Sequence, residues 1–270
     1  MRFLNLTLVC CMLGVSAYLA LEYSSSPAPK KSIQGASNMI LQSKDGGLTW
    51  QDISQSLPEA EQPQDFFTRA SGLYLRVNNV LYHSNSNLNM PVWEKEENTS
   101  LTFNRPGIVE SEGVLMATGQ QGIRRSTDRG KHWEWVISEG GVGIAIEKIN
   151  GGFAAIAYNT NTTSRRVHIS TDGGETWKII SEGLRPSKSI SSITQMGNYL
   201  ICGHPDGIFR SSDMGKTWTS VHPAVEEVKD TRPIQIEASF GTQPVPEPNK
   251  VFMIHASGNT LYAVAKYAGC

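Results

Sequence analysis

Four short segments of this chain carry the same potentially reactive side chains, in the order Ser-x-Asp-x-Gly-x-Thr-Trp. They are Ser43–Trp50, Ser126–Trp133, Ser170–Trp177 and Ser211–Trp218, and the second has His132 in place of the threonine. We call these segments the boxes. Each places one carboxylate beside hydroxyl groups, and such a set could hold a metal ion or organise the hydrogen bonds of a turn.

A structural role is favoured over a metal site for the boxes. Calcium takes about 6–8 oxygen ligands, whereas each box offers one carboxylate. Glycine permits left-handed backbone angles, the aspartate can accept backbone N–H bonds, and the tryptophan can pack between neighbouring elements. We therefore expect no catalytic, cofactor-binding or metal role. The expected structural residues are Ser43, Asp45, Gly47, Trp50, Ser126, Asp128, Gly130, Trp133, Ser170, Asp172, Gly174, Trp177, Ser211, Asp213, Gly215 and Trp218.

The spacing of the boxes predicts a repeat. The tryptophans that end them are separated by 83, 44 and 41 residues, and the first gap is about twice the others. A degenerate copy at Tyr82–Trp93 keeps Ser84 and the closing tryptophan but lacks the aspartate and glycine. With it the gaps become 43, 40, 44 and 41 residues. A period of about 42 residues is that of a four-stranded propeller blade.

The fold class is therefore predicted to be all-β, a β-propeller with five blades. Met39–Gln42 provides a single strand before the first box, and Val251–His255 and Thr260–Ala265 provide two strands after the last. The N-terminal and C-terminal segments should share one blade, which removes open sheet edges. Six blades is the alternative, if the Pro-rich insertion Pro223–Lys250 contains an irregular blade.

The N-terminus has a different composition from the rest of the chain. Phe3–Leu21 is almost wholly apolar and follows a single positive charge, so residues 1–23 are predicted to be a signal peptide or a signal anchor. Residues 24–37 form a polar linker, and residues 38–270 form the propeller. The expected location is secreted, periplasmic or membrane-anchored and facing outward. Any membrane contact is expected only through an uncleaved N-terminal segment.

Charge and cysteine content exclude some classes of protein. The chain has 24 basic and 25 acidic residues and a net charge of -1, without a block of like charge. We therefore expect no nucleic-acid partner, and we also expect no cofactor. Beyond the leader only Cys202 and Cys270 remain, which is too few for a disulfide framework; unpaired cysteines are favoured over a bridge.

At the four boxes, over about residues 38–270, the chain resembles the BNR or Asp-box repeat proteins, a sialidase-like propeller family. This resemblance implies that each box lies on the outer hairpin of its blade, away from the usual ligand face. It does not imply one activity, because the family contains sialidases, other glycoside hydrolases, receptors and assembly factors.

The resemblance to sialidases makes demands that this sequence does not meet. Those enzymes carry an early Phe/Tyr-Arg-Ile-Pro motif and three arginines for the substrate carboxylate. The nearest segment here, Phe103–Pro106, is out of order. Five arginines fall on third strands beside boxes and are expected to be solvated rim charges: Arg124, Arg125, Arg165, Arg166 and Arg210.

We therefore expect a non-catalytic module that binds an unknown protein or glycan on the face opposite the boxes. The alternative is a glycoside hydrolase of the exo-sialidase type. The residues that could contribute to the ligand face, from their positions on inner strands or connections, are Arg69, Arg105, Glu147 and His255.

Overall fold

The structure is a computed structural model that describes residues 39–58, 63–85, 91–96, 107–225 and 250–267. The leader and linker at 1–37, Arg105, Cys270 and residues 226–249 of the long insertion lie outside these described residues. Within the described ranges, no helix is long and apolar enough to cross a membrane.

The described residues form strands that are all short and all antiparallel to their neighbours. In chain order they are β1 (Ile40–Ser43), β2 (Gln51–Asp52), β3 (Pro63–Arg69), β4 (Gly72–Val77), β5 (Val80–Ser84), β6 (Glu94–Lys95), β7 (Ile108–Ser111), β8 (Val114–Gly119), β9 (Gly122–Ser126), β10 (Glu134–Ile137), β11 (Gly140–Ile149), β12 (Gly152–Asn159), β13 (Ser164–Ser170), β14 (Lys178–Ile179), β15 (Ser192–Met196), β16 (Tyr199–His204), β17 (Gly207–Ser211), β18 (Thr219–Pro223), β19 (Lys250–Ser257) and β20 (Thr260–Tyr267).

These strands make five four-stranded sheets, which we number as blades. Blade 1 has the order β19-β20-β1-β2, so it takes strands from both ends of the chain. Blades 2 to 5 are β3–β6, β7–β10, β11–β14 and β15–β18. The five-bladed propeller and the shared blade predicted from the repeat are therefore confirmed. In blade 1 the joint between the ends is a regular antiparallel ladder from Ile40↔Val264 to Ser43↔Leu261.

Apolar clusters hold consecutive blades together. One cluster joins blades 1 and 2, a second joins blades 3 and 4, a third joins blades 4 and 5, and a fourth joins blades 5 and 1. The second strands supply continuous apolar runs, because a strand in the middle of a blade is covered on both faces. In β12, for example, Ala154 to Ala157 are fully buried.

Cross-strand pairing gives each blade a set of equivalent positions. The residue two positions before each box serine lies on the third strand and is paired with a residue of the second strand, which is paired with a residue of the first. These paired residues form one cross-strand row in each blade. Side chains in that row point toward the preceding blade, and those one position closer to the box point toward the following blade. Ile146 and Ile169 illustrate the two directions, because they lie in the clusters with blades 3 and 5, respectively.

Candidate functional site in the seam between blades 2 and 3

The boxes are closed hydrogen-bonded turns. In every box the serine hydroxyl donates to Oδ1 of the aspartate at 2.7–2.8 Å, and the N–H of the fifth residue, glycine, donates to the serine hydroxyl at 2.8–3.0 Å. The threonine hydroxyl donates to Oδ2 at 2.5–2.7 Å in three boxes. In the other, Nδ1 of His132 lies 2.5 Å from Oδ2 of Asp128. Each carboxylate thus uses both of its oxygens within its own turn.

These bonds favour the ionised carboxylates. The hydroxyl of Thr217 and then its backbone N–H lower the pKa of Asp213 to about 2. The backbone N–H of His132 is the main cause of a pKa of about 2 at Asp128, and the hydroxyl of Thr176 holds the pKa of Asp172 far below its usual range. At Asp45, burial is the largest single influence and raises the pKa, but hydrogen bonds together outweigh it and bring the pKa to about 2.

Metal binding finds no support at these turns. Among the residues that the structure describes, no group of three or more His, Cys, Asp or Glu side chains is placed to share an ion.

The tryptophans differ in what they bind. In three boxes the indole N–H donates to the carbonyl of the glycine at the fifth position of the box at 3.0–3.1 Å, at Trp50, Trp133 and Trp177. Trp218 instead donates to Ile180 of the preceding blade at 2.6 Å, and Trp93 donates to Ile53 of its preceding blade at 2.7 Å. The box tryptophans are half-buried, whereas Trp93, which closes the degenerate copy, is buried.

Two of the third-strand arginines, Arg125 and Arg210, bind the box of the following blade. A third, Arg165, donates an Nη1–H to the carbonyl of Ile190, which precedes blade 5, at 3.0 Å. The expectation that all five are solvated rim charges is wrong for these three. Arg125 of blade 3 donates its Nε–H to the carbonyl of Gly173 in the blade 4 box at 2.8 Å. Arg210 of blade 5 donates in the same way to Gly46 in the blade 1 box, also at 2.8 Å. Arg125 and Arg210 each immediately precede the serine of the box in their own blade, a position whose side chain points toward the following blade.

The three described candidates for the ligand face lie on blades 2, 4 and 1. Arg69 is the last residue of β3, next to the turn into β4. In an antiparallel blade this turn lies at the same edge as the turn after the third strand, where the boxes are. Arg69 is therefore at the box end, not on the opposite face as expected. Its guanidinium carbon lies 5.1 Å from the centroid of the Phe67 ring.

Glu147 and His255 also lie toward the box end of their inner strands. Glu147 shares a row with Ile169, which immediately precedes a box serine, and His255 shares the corresponding row with Gln42. The Glu147 carboxylate reaches water, but the surrounding protein removes much of its hydration and raises its pKa to about 7. The His255 ring packs 5.2 Å from that of Phe66.

One equivalent position differs between blades. The cross-strand row that contains the residue two positions before the box serine has a large apolar residue on the inner strand of every blade. These residues are Ile254, Phe66, Ile108, Ile146 and Ile193 in blades 1 to 5. The preceding blade covers four of them, which are only 1–7% exposed. Ile108, on blade 3, is 47% exposed. The side of blade 3 that points toward blade 2 is therefore only partly covered.

The exposed row crosses the whole width of blade 3. It runs through Ile108, Ala117, Arg124 and Trp135, one from each strand. Trp135, at the outer end, is 43% exposed. The guanidinium of Arg124 lies 4.6 Å from the centroid of the Trp133 ring. This wall thus offers an aliphatic group at one end, an indole at the other and a cation between them.

Blade 2 contributes an aromatic ladder to the same seam. The rings of Phe67 and Tyr74 stack with centroids 4.9 Å apart and an interplanar angle of 3°, and those of Tyr74 and His83 are 4.6 Å apart. Phe66 and Leu75 point the other way, into the cluster with blade 1. Blades 2 and 3 pack on blades 1 and 4 with their opposite sides. In a closed ring of five blades their remaining sides face each other, and we call these two sides together the 2/3 seam.

Neither Ile108 nor Trp135 is predicted from the sequence as a functional residue, and Arg124 is predicted only as a solvated rim charge. A signal was present for one of them. Trp135 lies two residues after the box tryptophan, at an outer-strand position occupied by Asp52, Lys95, Ile179 and Ser220 in the other blades. A second tryptophan is therefore peculiar to blade 3.

Comparison with known proteins identifies one of the boxes. The model of the BNR/Asp-box repeat family matches residues 168–178, the box of blade 4. The chain thus contains a BNR/Asp-box repeat within its five four-stranded sheets. No curated protein matches it.

Two solved structures show similarity to this chain at low identity. YCF48 bound to D1 peptide is 17% identical over 85% of this chain and 86% of that chain, with a TM-score of 0.27. The AfRom2 CNH domain is 8% identical over 84% of this chain and 86% of that chain, with a TM-score of 0.33. The fold assignment rests on the sheet topology of the chain itself.

Proposed function

We propose that this protein is a non-catalytic binding module whose 2/3 seam receives a segment of a partner protein. The observation that carries this proposal is the exposure of Ile108, at a position where the four equivalent side chains are buried. Inner-strand side chains of a propeller are normally covered by the neighbouring blade. An uncovered one next to an exposed tryptophan marks a surface on which a second molecule can pack.

The composition of the seam suits protein recognition. Aromatic and arginine side chains supply much of the binding energy in protein interfaces, and the two walls provide Phe67, Tyr74, Trp133, Trp135 and Arg124. Covering the exposed halves of Ile108 and Trp135 would contribute about 1–2 kcal/mol each. Because Ile108 presents only aliphatic surface, which sugar hydroxyls cannot use, a polypeptide is favoured over a glycan as the ligand.

An exo-sialidase would need three arginines that together clamp a carboxylate, and four of the described arginines are already engaged elsewhere. Arg125 and Arg210 bind backbone carbonyls of neighbouring blades. Arg166 lies 3.6 Å from Glu139, and Arg185 forms a two-pronged ion pair with Asp206 at 2.7 and 2.9 Å. We further propose that the protein acts outside the cytoplasm, exported or anchored by residues 1–23, since Phe3–Leu21 is almost wholly apolar.

The proposal is tested by co-purification of the full chain with its partners from the native source. Ile108→Glu places a charge in the seam, and Ile179→Glu is the matched control, because Ile179 is similarly exposed at 49% but lies on the outer strand of blade 4. We expect Ile108→Glu to lose proteins that the wild type and Ile179→Glu both retain. Equal retention by all three would overturn the proposal.

A sialoside hydrolysis assay separates the two classes of function. We expect no turnover by the purified chain. Turnover that disappears in Arg69→Ala would refute a binding-only role.

A further inference from the structure

We infer that the 2/3 seam recognises an acidic segment, in which a carboxylate that pairs with Arg124 stands between two apolar side chains. This inference rests on the proposed function and specifies the chemistry of the partner. It depends on the guanidinium of Arg124, which has no described anionic partner and which the exposure of Ile108 does not reveal.

Arg124 is a cation without an anionic partner among the described residues. Its guanidinium lies over the Trp133 ring, and its Nε is buried and makes no hydrogen bond in the described part of the chain. Glu110, on the same side of blade 3, forms no ion pair with it within the described ranges. The buried Nε cannot itself meet a ligand, but the terminal N–H groups of the same guanidinium also have no described anion. A carboxylate that reaches them would gain a charge-assisted hydrogen bond.

Arg125 differs from Arg124 in this respect, whereas Arg69 resembles it. Arg125, the next residue, points the opposite way and has Gly173, Glu134 and Glu175 as partners. Arg69, at the box end of blade 2, is another arginine whose described contact is an aromatic ring. Two guanidinium groups in the 2/3 seam, those of Arg69 and Arg124, therefore lie over aromatic rings and have no anionic partner among the described residues. Glu94 and Glu110 lie on the same two sides and, within the described residues, form no ion pair with either arginine. The attraction for an acidic ligand is therefore local to Arg124 and is not a property of the whole seam.

The spacing of the row defines the ligand further. Strands are about 4.8 Å apart, so Ile108 and Trp135 are separated by about 14 Å across the four strands of blade 3. An extended chain advances about 3.3 Å per residue, so about four residues span this distance. Alternate side chains of an extended segment point the same way. The matching pattern is therefore apolar, acidic and apolar or aromatic at every second residue, with the acid facing Arg124.

The inference is tested with a displayed library of random peptides selected on the immobilised full chain. We expect the selected sequences to carry Asp or Glu with apolar residues two positions to either side. The best peptide is then synthesised with a fluorescent label, and its affinity is measured by anisotropy. Replacing its acid by the corresponding amide should weaken binding about tenfold, the effect of losing a charged hydrogen bond.

Two substitutions in the protein separate a specific pair from general attraction. Arg124→Gln should weaken binding of the acidic peptide about tenfold. Arg129→Gln removes the same charge from an exposed position in the box of the same blade and should leave affinity unchanged. In addition, Arg124→Glu should bind a peptide in which lysine replaces the acid, because the charges of the pair are then exchanged.

Each result supports or overturns the inference. Equal weakening by Arg124→Gln and Arg129→Gln, selected peptides without an acid, or no selected peptide at all would each overturn it. Partner loss in Ile108→Glu with no dependence on Arg124 would leave the proposed function standing and remove only the acidic segment. Binding to an array of neutral glycans but not to peptides would assign the seam to the other ligand class.

Discussion

Removing Arg210 should measure how strongly an arginine bridge holds two blades together. Its Nε–H donates to the buried Gly46 of blade 1 at 2.8 Å, and its guanidinium carbon lies 3.5 Å from the centroid of the Tyr199 ring. A charged hydrogen bond contributes about 1.5–3 kcal/mol, and a partly buried cation–π contact adds about 0.5–2 kcal/mol. Because the two contacts share one group, we expect Arg210→Ala to lower the free energy of unfolding by about 2–4 kcal/mol.

The assay is urea unfolding followed by tryptophan fluorescence, with the change in midpoint multiplied by the common slope. Arg210→Lys keeps the charge but has no Nε–H and no planar group, so it should recover about half of the loss. Arg129→Ala, an exposed arginine in another box, should stay within about 0.5 kcal/mol of the wild type. An Arg210→Ala variant as stable as Arg129→Ala would refute the bridge.

A second test uses the variation between blades. The two boxes that accept an arginine bridge have glycine as their fourth residue, Gly46 and Gly173. A Cβ on Gly46 would lie 2.8 Å from the Tyr199 ring, so the bridge leaves no room for a side chain there. In the blade 5 box the fourth residue is Met214, and Ile169 takes the place of the arginine within one shared apolar cluster. We expect Ile169→Arg and Met214→Gly to destabilise singly and to compensate partly when combined, as a double-mutant cycle would show.

Further predictions concern ionisable groups. Asp213 has a pKa of about 2, below its usual value of 3.8. Its contribution to stability is therefore complete above pH 3.8 and is lost as the pH falls toward 2. Asp213→Asn should remove this part of the acid unfolding curve. Glu147 has a pKa raised from 4.5 to about 7, so stability should fall as pH rises through that interval. Because this carboxylate is exposed, Glu147→Gln should gain only about 1 kcal/mol above that interval, read from melting temperatures against pH. Burial raises the pKa of Cys202 to about 12, so peptide mapping after treatment with a thiol reagent should find Cys202 unmodified in the folded protein and modified in urea.

The repeat explains how much of the fold could be predicted from sequence. Four boxes set the period, and the period alone is enough to identify Trp93 as the end of a fifth, degenerate copy. The closing blade follows from counting strands at the two ends, because a propeller leaves no blade incomplete. These features depend on spacing along the chain, which a sequence displays directly.

The candidate site depends on contacts between blades, which spacing does not reveal. Ile108 has the same apolar character as Ile146 and Ile193, yet they are buried and it is half exposed. Arg124 and Arg125 are adjacent in sequence, but one meets an indole and the other a glycine carbonyl of the next blade. Their opposite directions follow from strand alternation. What each direction meets is decided by the neighbouring blade.

The sharing of blade 1 between the chain ends has a consequence for synthesis of the protein. The β1–β2 hairpin is made before blades 2 to 5, but its partner β20 is made only after them. Blades 2 to 5 can form one after another as the chain emerges, whereas the first hairpin must wait with an unpaired edge. Closing so long a segment is entropically costly and slow. A chain stalled before Lys250 is therefore expected to present β1 as an open edge and to depend on chaperones until the last two strands arrive.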